Sequence, residues 1–211
     1  MVLVPYAFVA LLVGVLVAAV ITFAVMGLAD VRRRRRLARA AHQQGRRFFP
    51  DDPYDMPRRY AEFALVSSGH SARASHVTDG RLAGRCVRAF DFRCELGHGP
   101  RRMTRHYSVV SADGLEVPEA VLMWPDNDAE FAPLAARGGE GRIGCWSFQG
   151  SRRLAAALAA AWRGSPDAEP SIEARGSALI LAAPARRFAR GYSVSFEDVE
   201  PLLAAMQDAV S

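Results

Sequence analysis

The sequence predicts an α+β protein, in which an N-terminal transmembrane helix precedes a small antiparallel-sheet domain with two packed helices. Three observations predict it: an uncharged apolar start, short alternating segments after residue 60, and two amphipathic segments in the second half. The expected domains are a transmembrane helix over 1–29, an Arg-rich juxtamembrane helix with a Pro-rich strap over 30–60, and a cytoplasmic α+β domain over 61–211.

The apolar start is the clearest signal. From Val2 to Leu28 only Tyr6 and Thr22 are polar and no residue is charged. As a helix these residues reach roughly 40 Å, which is enough to cross a bilayer. A cleaved signal peptide is the alternative. It is disfavoured because the run is long, lacks an early basic residue and has no small-residue cleavage site before the charges.

A block of arginines follows the span and predicts its orientation. Basic residues beside a span stay on the cytoplasmic side, so we expect a single-pass protein of the cell membrane with its N-terminus outside and its C-terminal domain in the cytoplasm. The block is also expected to contact anionic lipid headgroups. The same charges would serve equally as a topology signal alone. The residues of this block, which are the predicted lipid contacts, are Arg32, Arg33, Arg34, Arg35, Arg36 and Arg39.

The positive charge of the chain lies beside the membrane. The formal net charge is +5, but 10 Arg and four Asp through residue 60 give +6, so the remaining residues carry −1. A nucleic-acid-binding domain would be expected to carry its own basic face, so we predict no nucleic-acid partner. Three cysteines fit thiols in a reducing compartment better than a disulfide framework.

Small residues recur at intervals of four within the span. Ala10, Gly14, Ala18 and Thr22 fall on nearly one helical face. Such a stripe lets a second helix approach closely, so it offers a route to a homo-oligomer through the span.

After the span, the composition favours a helix that continues to about Gln44 and ends at Gly45. Asp79-Gly80 predicts a type I′ hairpin turn and Arg175-Gly176 a second hairpin turn. Residues 125–142 are expected to form a surface loop. The predicted strands are Phe63–Ser67, Ala74–Thr78, Arg81–Glu95, Thr104–Ala112, Val117–Trp124 and Ile143–Phe148, followed by Ser171–Ala174 and Ser177–Ala183 of the second hairpin.

Two helices are predicted in the second half. Ser151 is the expected N-cap of the first, which Gly164 ends. Asp198 is the expected N-cap of the second, because Pro201 fits only near a first turn. Within the third strand, Cys86, Phe90, Phe92 and Cys94 share one face, and Arg88 breaks this pattern.

No motif predicts a catalytic centre, a cofactor or a metal site. Cys86, Cys94, His98 and His106 are residue types that zinc prefers, and they surround one predicted hairpin. Their spacing contains neither a C-x-x-C knuckle nor an H-x₃-H pair. Small buried thiols beside aromatic residues explain the cysteines equally well.

The order of several segments resembles a family of uncharacterised bacterial membrane-anchored proteins with a single span. One span and an Arg-rich exit are followed by three motifs, and the chain closes with a short hairpin and a helix. The motifs are Gly45-Arg-Arg-Phe-x-Pro-x-Asp-Pro, Ala89-Phe-Asp-Phe-Arg93 and Thr104-Arg-His-Tyr-Ser-Val-Val110. The resemblance implies a membrane anchor and no assigned activity.

Two functions are compatible with this sequence. The first is a non-enzymatic interaction or scaffold module at the cytoplasmic face, tethered to the membrane and bound to an unidentified protein partner. The second is a tethered enzyme or small-ligand binder, with a pocket formed by the aromatic strand face and the strap. Its polar candidates are His98, His106, Asp91 and Arg105.

Overall fold

A single helix, α1 (Leu3–Gln43), leads from the apolar start of the chain into its folded part. The computed structural model describes residues 3–125, 139–164, 169–185 and 194–210. The helix is long and apolar enough to cross a membrane, with a mean hydropathy of 2.7 over its most apolar 18-residue window. None of that window is buried against the rest of the described chain. A core helix of a soluble protein would be covered instead.

The end of α1 lies where the sequence predicts it. Gly45 adopts a left-handed conformation with φ of 65°. Its N–H bonds to the carbonyl of His42 at 3.1 Å, and the N–H of Arg46 bonds to the carbonyl of Ala41 at 2.8 Å. This pair of bonds is the Schellman motif, which satisfies the last helical carbonyls and reverses the chain.

Beyond α1 the described residues form one antiparallel sheet and short helices. The strands are β1 (Arg47–Asp51), β2 (His70–Leu82), β3 (Arg85–Leu96), β4 (Met103–Pro125), β5 (Gly141–Ile143), β6 (Trp146–Gly150) and β7 (Ser171–Pro184). The helices are α2 (Met56–Arg59), α3 (Ala64–Ser67), α4 (Arg152–Ala161) and α5 (Phe196–Val210), with one 3-10 turn at Gly99–Arg101.

The long strand β4 is shared by both halves of the sheet. Its first half pairs with β3, beyond which lie β2 and β1, and its last residues pair with β6, beyond which lies β5. Strand β7 runs along the opposite edge of β4. The β4–β7 register shifts on both sides of Val117, which faces Gly176. Gly176 has φ of 56°, a conformation that glycine adopts without strain.

Both faces of the sheet are covered. Helices α4 and α5 pack on one face, where Leu158 and Leu202 meet Val110 and Leu179. The segment that contains α2 and α3 packs on the other, where Tyr60 lies in the same core cluster as Phe90. The α+β fold class, with an antiparallel sheet and two packed helices, is therefore confirmed.

The predicted hairpin turn at Asp79-Gly80 is wrong. Strand β2 continues to Leu82, and the turn is formed by Ala83 and Gly84 with φ of 49° and 76°. Positive φ at both positions is the requirement of a type I′ turn. Asp79 instead lies within the strand, 4% exposed, because its carboxylate pairs with two arginines.

Several other boundaries differ from the predictions. Arg175-Gly176 is not a hairpin turn, because β7 continues through it against β4. The predicted strand from Phe63 forms α3 instead, where the Glu173 carboxylate accepts the N–H of Ala64. The two predicted strands 104–112 and 117–124 are one strand, β4. The predicted strand 143–148 is divided by a turn between β5 and β6. Most of the predicted loop at 125–142 lies outside the described residues.

The second-half helices are largely as predicted. The Ser151 hydroxyl accepts the N–H of Leu154, which confirms the cap, although α4 ends at Ala161 rather than near Gly164. Helix α5 begins before Asp198, whose carboxylate accepts the backbone N–H of Ser195 at 2.7 Å. This is the reach-back bond of a capping box, so Asp198 acts from inside the first turn.

Candidate functional site at the helix–sheet junction

The most organised polar cluster joins α1 to the sheet. Arg33 Nη2 donates to Asp91 Oδ1 at 2.9 Å, and Arg33 Nη1 also bonds to Asp91 Oδ2. His76 Nδ1 lies 2.9 Å from Asp91 Oδ2, and His76 Nε2 lies 3.8 Å from an oxygen of Asp30. We call Arg33, His76 and Asp91 the junction triad. It brings a carboxylate of the sheet together with one cation of the membrane helix and one imidazole, and Arg33 Nη1 also lies 3.3 Å from His76 Nδ1.

The backbone of β2 positions His76 for this role. His76 has φ of 52°, and the β2–β3 register shifts between Ser75 and Thr78, which marks a bulge. The Phe48 ring of β1 stacks on the imidazole, with 6.3 Å between the ring centroids. Strain at a bulge is tolerated where surrounding contacts determine it, as they do here.

The charge state of Asp91 follows from its partners. Burial alone would raise the pKa of Asp91, but the hydrogen bonds from His76 and Arg33 and the positive charge of Arg33 lower it below its ordinary value. The carboxylate is therefore ionised at neutral pH and holds Arg33 by a bidentate pair, the geometry that a guanidinium favours.

An apolar stripe continues from the triad along α1. Leu37 and Ala41 follow Arg33 at intervals of four and are 6% and 2% exposed, so all three lie on one helical face. Just after the helix, the Arg46 guanidinium lies 3.8 Å from the Phe196 ring centroid and 3.4 Å from Glu197 of α5. The extension of α1 is thus attached near both of its ends.

The structure divides the predicted lipid-contacting arginines. Arg33 faces the sheet, whereas the other members of the block are exposed, namely Arg32, Arg34, Arg35, Arg36 and Arg39.

The predicted small-residue stripe of the span is open to its surroundings at Gly14, where an added Cβ would meet no other atom within 4 Å. Thr22 donates its hydroxyl to the Ala18 carbonyl at 2.8 Å, and the side chain of Ala10 lies outside the described atoms. Lipid contact and helix pairing stay predictions.

A second polar cluster surrounds Arg88, the residue that breaks the apolar pattern of β3. Arg88 is 8% exposed. Its Nε lies 3.1 Å from Asp79 Oδ1, and its Nη1 donates to Asp113 Oδ2. Tyr60 adds a hydroxyl that donates to Ser111 Oγ at 2.9 Å. This arrangement connects the Pro-rich strap (45–60), through Tyr60, to the neighbouring strands β2, β3 and β4.

The Arg88 cluster forms the floor of an open groove of about 870 Å³. Five arginines and two aspartates line it, so its charge is net positive. Most of these arginines already have acceptors, such as Asp79 for Arg47 and the Gly114 carbonyl for Arg85. The charged lining residues are Arg46, Arg47, Arg81, Arg85, Arg88, Asp79 and Asp113.

A buried carboxyl group occupies a smaller cavity between β4, β7 and α3. Glu173 is 7% exposed and lines a space of about 350 Å³. Burial raises its pKa to about 7, although the N–H of Ala64 and the charge of Arg175 act in the opposite direction. Glu173 can therefore exchange a proton near neutral pH. No nucleophile–base pair is seen beside it among the described lining residues.

The metal-type residues do not converge. Cys94 is buried in the aromatic core, and the Cys86 thiol lies 3.5 Å from Asp79. His98 stacks on His70, with 4.9 Å between the ring centroids. His106 is exposed on β4. Among the described residues, no three His, Cys, Asp or Glu side chains are placed to hold a metal ion.

Sequence reasoning missed the junction triad, the Arg88 cluster and Glu173. A signal existed for one of them, because Arg88 interrupts the apolar strand face of Cys86 and Phe90, whereas Glu173 shares its strand face with the polar residues Ser171 and Arg175. A charged residue at such a position is seldom buried unless it is paired. The identity of the partner depends on long-range contacts that periodicity does not reveal.

No protein-family model matches the chain, and no curated protein sequence matches it. Among solved structures, it is similar to the crystal structure of the mycobacterial trehalose monomycolate transport factor A, TtfA. The TM-score is 0.53 at 16% sequence identity, and the match covers 84% of this chain and 94% of that chain. At this identity the likeness shows a shared fold.

Replacing Arg88 with methionine should strongly destabilise the protein. Two carboxylates, Asp79 and Asp113, would then lose a buried cation, so we expect the free energy of unfolding to fall by about 3–5 kcal/mol. Urea unfolding of the full chain in detergent, followed by tryptophan fluorescence, measures this. Arg85→Met is the matched control, with an expected loss below about 1 kcal/mol. Equal losses in the two variants would contradict the role of Arg88.

Replacing Glu173 with glutamine should remove a pH dependence. The pKa of Glu173 is raised from an ordinary 4.5 to about 7 in the folded state, so the folded state binds more protons between these values and stability falls as the pH rises through this window. The loss of stability is at most about 3–4 kcal/mol. Glu173→Gln should therefore be more stable than the parent at pH 8 and similar at pH 4.5.

The same urea unfolding measurement at the two pH values tests this expectation. Glu116→Gln, at an exposed position of β4, is the control and should leave the pH profile unchanged. A parallel profile for Glu173→Gln and the parent would rule out a buried carboxyl with a raised pKa.

Proposed function

We propose that this chain is a non-catalytic scaffold, tethered to the plasma membrane by α1, that holds its α+β domain in a fixed position at the cytoplasmic face for a membrane-protein partner. One observation carries the proposal: α1 passes from the apolar span to Gln43 without a break and is attached to the sheet through Arg33. A flexible linker would let the domain diffuse around its anchor, whereas a continuous packed helix restricts it.

The orientation in this proposal rests on the arginine block. Exposed arginines directly after the span favour the cytoplasmic side for everything that follows them. The same residues favour an anionic leaflet as a binding surface. The small-residue stripe of the span supports pairing with a second copy or with a partner helix.

The polar residues considered for a catalytic pocket lie on both faces of the sheet: Arg105 is opposite Cys94, whereas His106 is opposite Arg93. Asp91 belongs to the junction triad, and His98 stacks on His70. The aromatic face of β3 is filled, since Phe90 and Phe92 are 2% and 1% exposed. These placements favour the scaffold over an enzyme with a site on that face.

The partner surface is not a broad apolar patch in the described part of the domain. Outside α1, Met103 is the exposed large apolar side chain there. A partner would therefore engage the span or polar surfaces. The structural neighbour TtfA is named as a transport factor, and we propose a comparable accessory role in membrane transport for this chain.

Separating the helix from the sheet should abolish partner binding without unfolding the domain. Arg33→Ala together with Asp91→Asn removes both charges of the pair, so no buried charge is left uncompensated. We expect partner proteins cross-linked to the full chain in cells to be lost in this variant and retained in Arg32→Ala, which alters an exposed arginine of the same block. Quantitative mass spectrometry after cross-linking measures both. An unchanged partner set in the double variant would contradict the proposal.

The orientation is checked on the same full-length protein. A C-terminal tag should be protected from protease in intact cells and become sensitive after the membrane is opened. Digestion of the tag in intact cells would overturn the cytoplasmic placement.

A small anionic ligand is the second candidate, favoured by the net positive groove above Arg88. If the groove binds such a ligand, millimolar citrate or inorganic phosphate should raise the melting temperature of the full chain in detergent. Arg81→Ala, at an exposed position of the lining, should weaken the shift, and Arg152→Ala on α4 should not. Equal shifts in all three proteins would exclude a site in this groove.

A further inference from the structure

The path of the chain defines which end of the sheet lies nearest the membrane. Helix α1 leads away from the span, the chain reverses at Gly45, and β1 returns towards the bilayer. In the β1–β2 register, Arg47 pairs with Asp79 at the far end and Asp51 pairs with Ser75 nearer the span. Since β2 and β3 are antiparallel, the first residues of β2 and the last residues of β3 are directed towards the bilayer.

The junction triad gives the same direction independently. Arg33 lies five residues beyond Leu28, the end of the apolar run, which is about 7.5 Å along the helix. Its partner Asp91 lies five residues before Leu96, the end of β3, which is about 16 Å along an extended strand. Even for strands inclined by roughly 45° to the helix axis, the projection towards the bilayer is about 11 Å.

The end of the β3–β4 hairpin therefore reaches the level at which the span leaves the bilayer. Headgroups occupy roughly 5–8 Å beyond the hydrocarbon core in each leaflet. The apolar run of roughly 40 Å is longer than a hydrocarbon core of about 30 Å, so its end lies about 5 Å outside the core. A hairpin end that extends about 4 Å past Leu28 towards the bilayer therefore lies at the boundary between headgroups and acyl chains.

The side chains at this end have the chemistry of a lipid-contacting surface. We call Arg73, Arg93, Arg101, Arg102 and Met103 the basic tip; all five are exposed. Met103 is 50% exposed, which is unusual for a large apolar side chain of this domain. Glu95 is the acidic residue of β3 nearest the tip, and it pairs with Arg102 at 2.8 Å.

A cross-strand pair adds a second observation. Arg73 of β2 lies directly opposite Arg93 of β3, and His106 of β4 lies opposite Arg93 on its other side. Like charges in directly opposite positions destabilise a sheet unless a counterion lies between them. Two adjacent guanidinium groups match the phosphate of a lipid headgroup.

We infer that the basic tip is a second membrane contact, which binds anionic phospholipid headgroups of the leaflet that α1 leaves. Met103 inserts at the boundary of the acyl chains, and the arginines bind phosphate groups around it. Helix α1 is the first membrane attachment and the basic tip is the second, so the domain contacts the membrane surface directly as well as through its anchor. The inference deepens the proposed scaffold function by adding a lipid class to its positioning.

The test uses the full chain reconstituted in lipid nanodiscs. A nitroxide label is attached at Met103→Cys, or at Arg81→Cys near the far end of the β2–β3 hairpin, after replacement of the partly exposed Cys86 and Cys145 by serine. The two positions are about 33 Å apart along the strands. Accessibility of each label to a water-soluble nickel chelate is measured in phosphatidylcholine discs with and without phosphatidylglycerol.

With phosphatidylglycerol present, the label at position 103 should be several-fold less accessible than the label at position 81. Replacing Arg93 and Arg101 with alanine should return its accessibility to the value found in pure phosphatidylcholine, whereas Arg152→Ala on α4 should leave it unchanged. Circular dichroism checks that each variant is folded.

Two results would overturn the inference. In the first, the two labels are equally accessible in phosphatidylglycerol discs, so the tip lies in water. In the second, the label at position 103 is shielded to the same extent in both lipids, so anionic headgroups are not what the tip binds. Neither result bears on partner cross-linking through Arg33 and Asp91, so failure of the tip is distinguishable from failure of the scaffold.

Discussion

The bidentate pair between Arg33 and Asp91 is the interaction on which the placement of the domain depends. The apolar stripe of α1, Leu37 and Ala41, contributes buried area, but hydrophobic contact is not directional. A guanidinium that must meet one carboxylate allows a single register. Paired ions of this kind are better attested as devices that fix a register than as sources of net stability.

The sheet is suited to this attachment because β4 supports it from within. This strand has 23 residues and pairs with β3, β6 and β7. Strand β3, which carries Asp91, is therefore hydrogen-bonded to the central strand of the sheet. The Arg88 cluster has a similar effect on the opposite face of β3, where it connects the strap to β2, β3 and β4. Both clusters lie on β3, one on each face, at positions 88 and 91. The junction triad therefore attaches β3 to α1, and the Arg88 cluster attaches the same strand to the strap.

Local physics made part of this structure predictable. The span follows from length and apolarity, the end of α1 from Gly45, and the start of α4 from Ser151, and each depends on neighbours within about five residues. Features that depend on distant residues were not predictable. Asp79 preceding a glycine has the composition of a turn, but its carboxylate is taken by Arg47 and Arg88, and the turn moves to Ala83 and Gly84.

In the candidate site, too, some features follow from neighbouring residues and others depend on residues far away in the sequence. Five consecutive arginines predict a basic block, and the helical period alone implies that they do not all face one way. Which of them faces the sheet follows only from the position of Asp91, 58 residues later in the chain. The remaining members of the block keep the exposure that lipid contact requires.

The free energies of the two possible contacts of Arg33, with Asp91 or with an anionic headgroup, explain why it faces the sheet. An arginine near an anionic leaflet gains about 1 kcal/mol. Removing Arg33 would leave the partly buried Asp91 carboxylate with His76 as its remaining partner in the junction triad, at a cost of about 1.5–3 kcal/mol, the range for hydrogen bonds to charged groups. The difference favours the pair, which explains why Arg33 faces the sheet. The other arginines of the block are exposed, and contact between them and lipid stays a prediction.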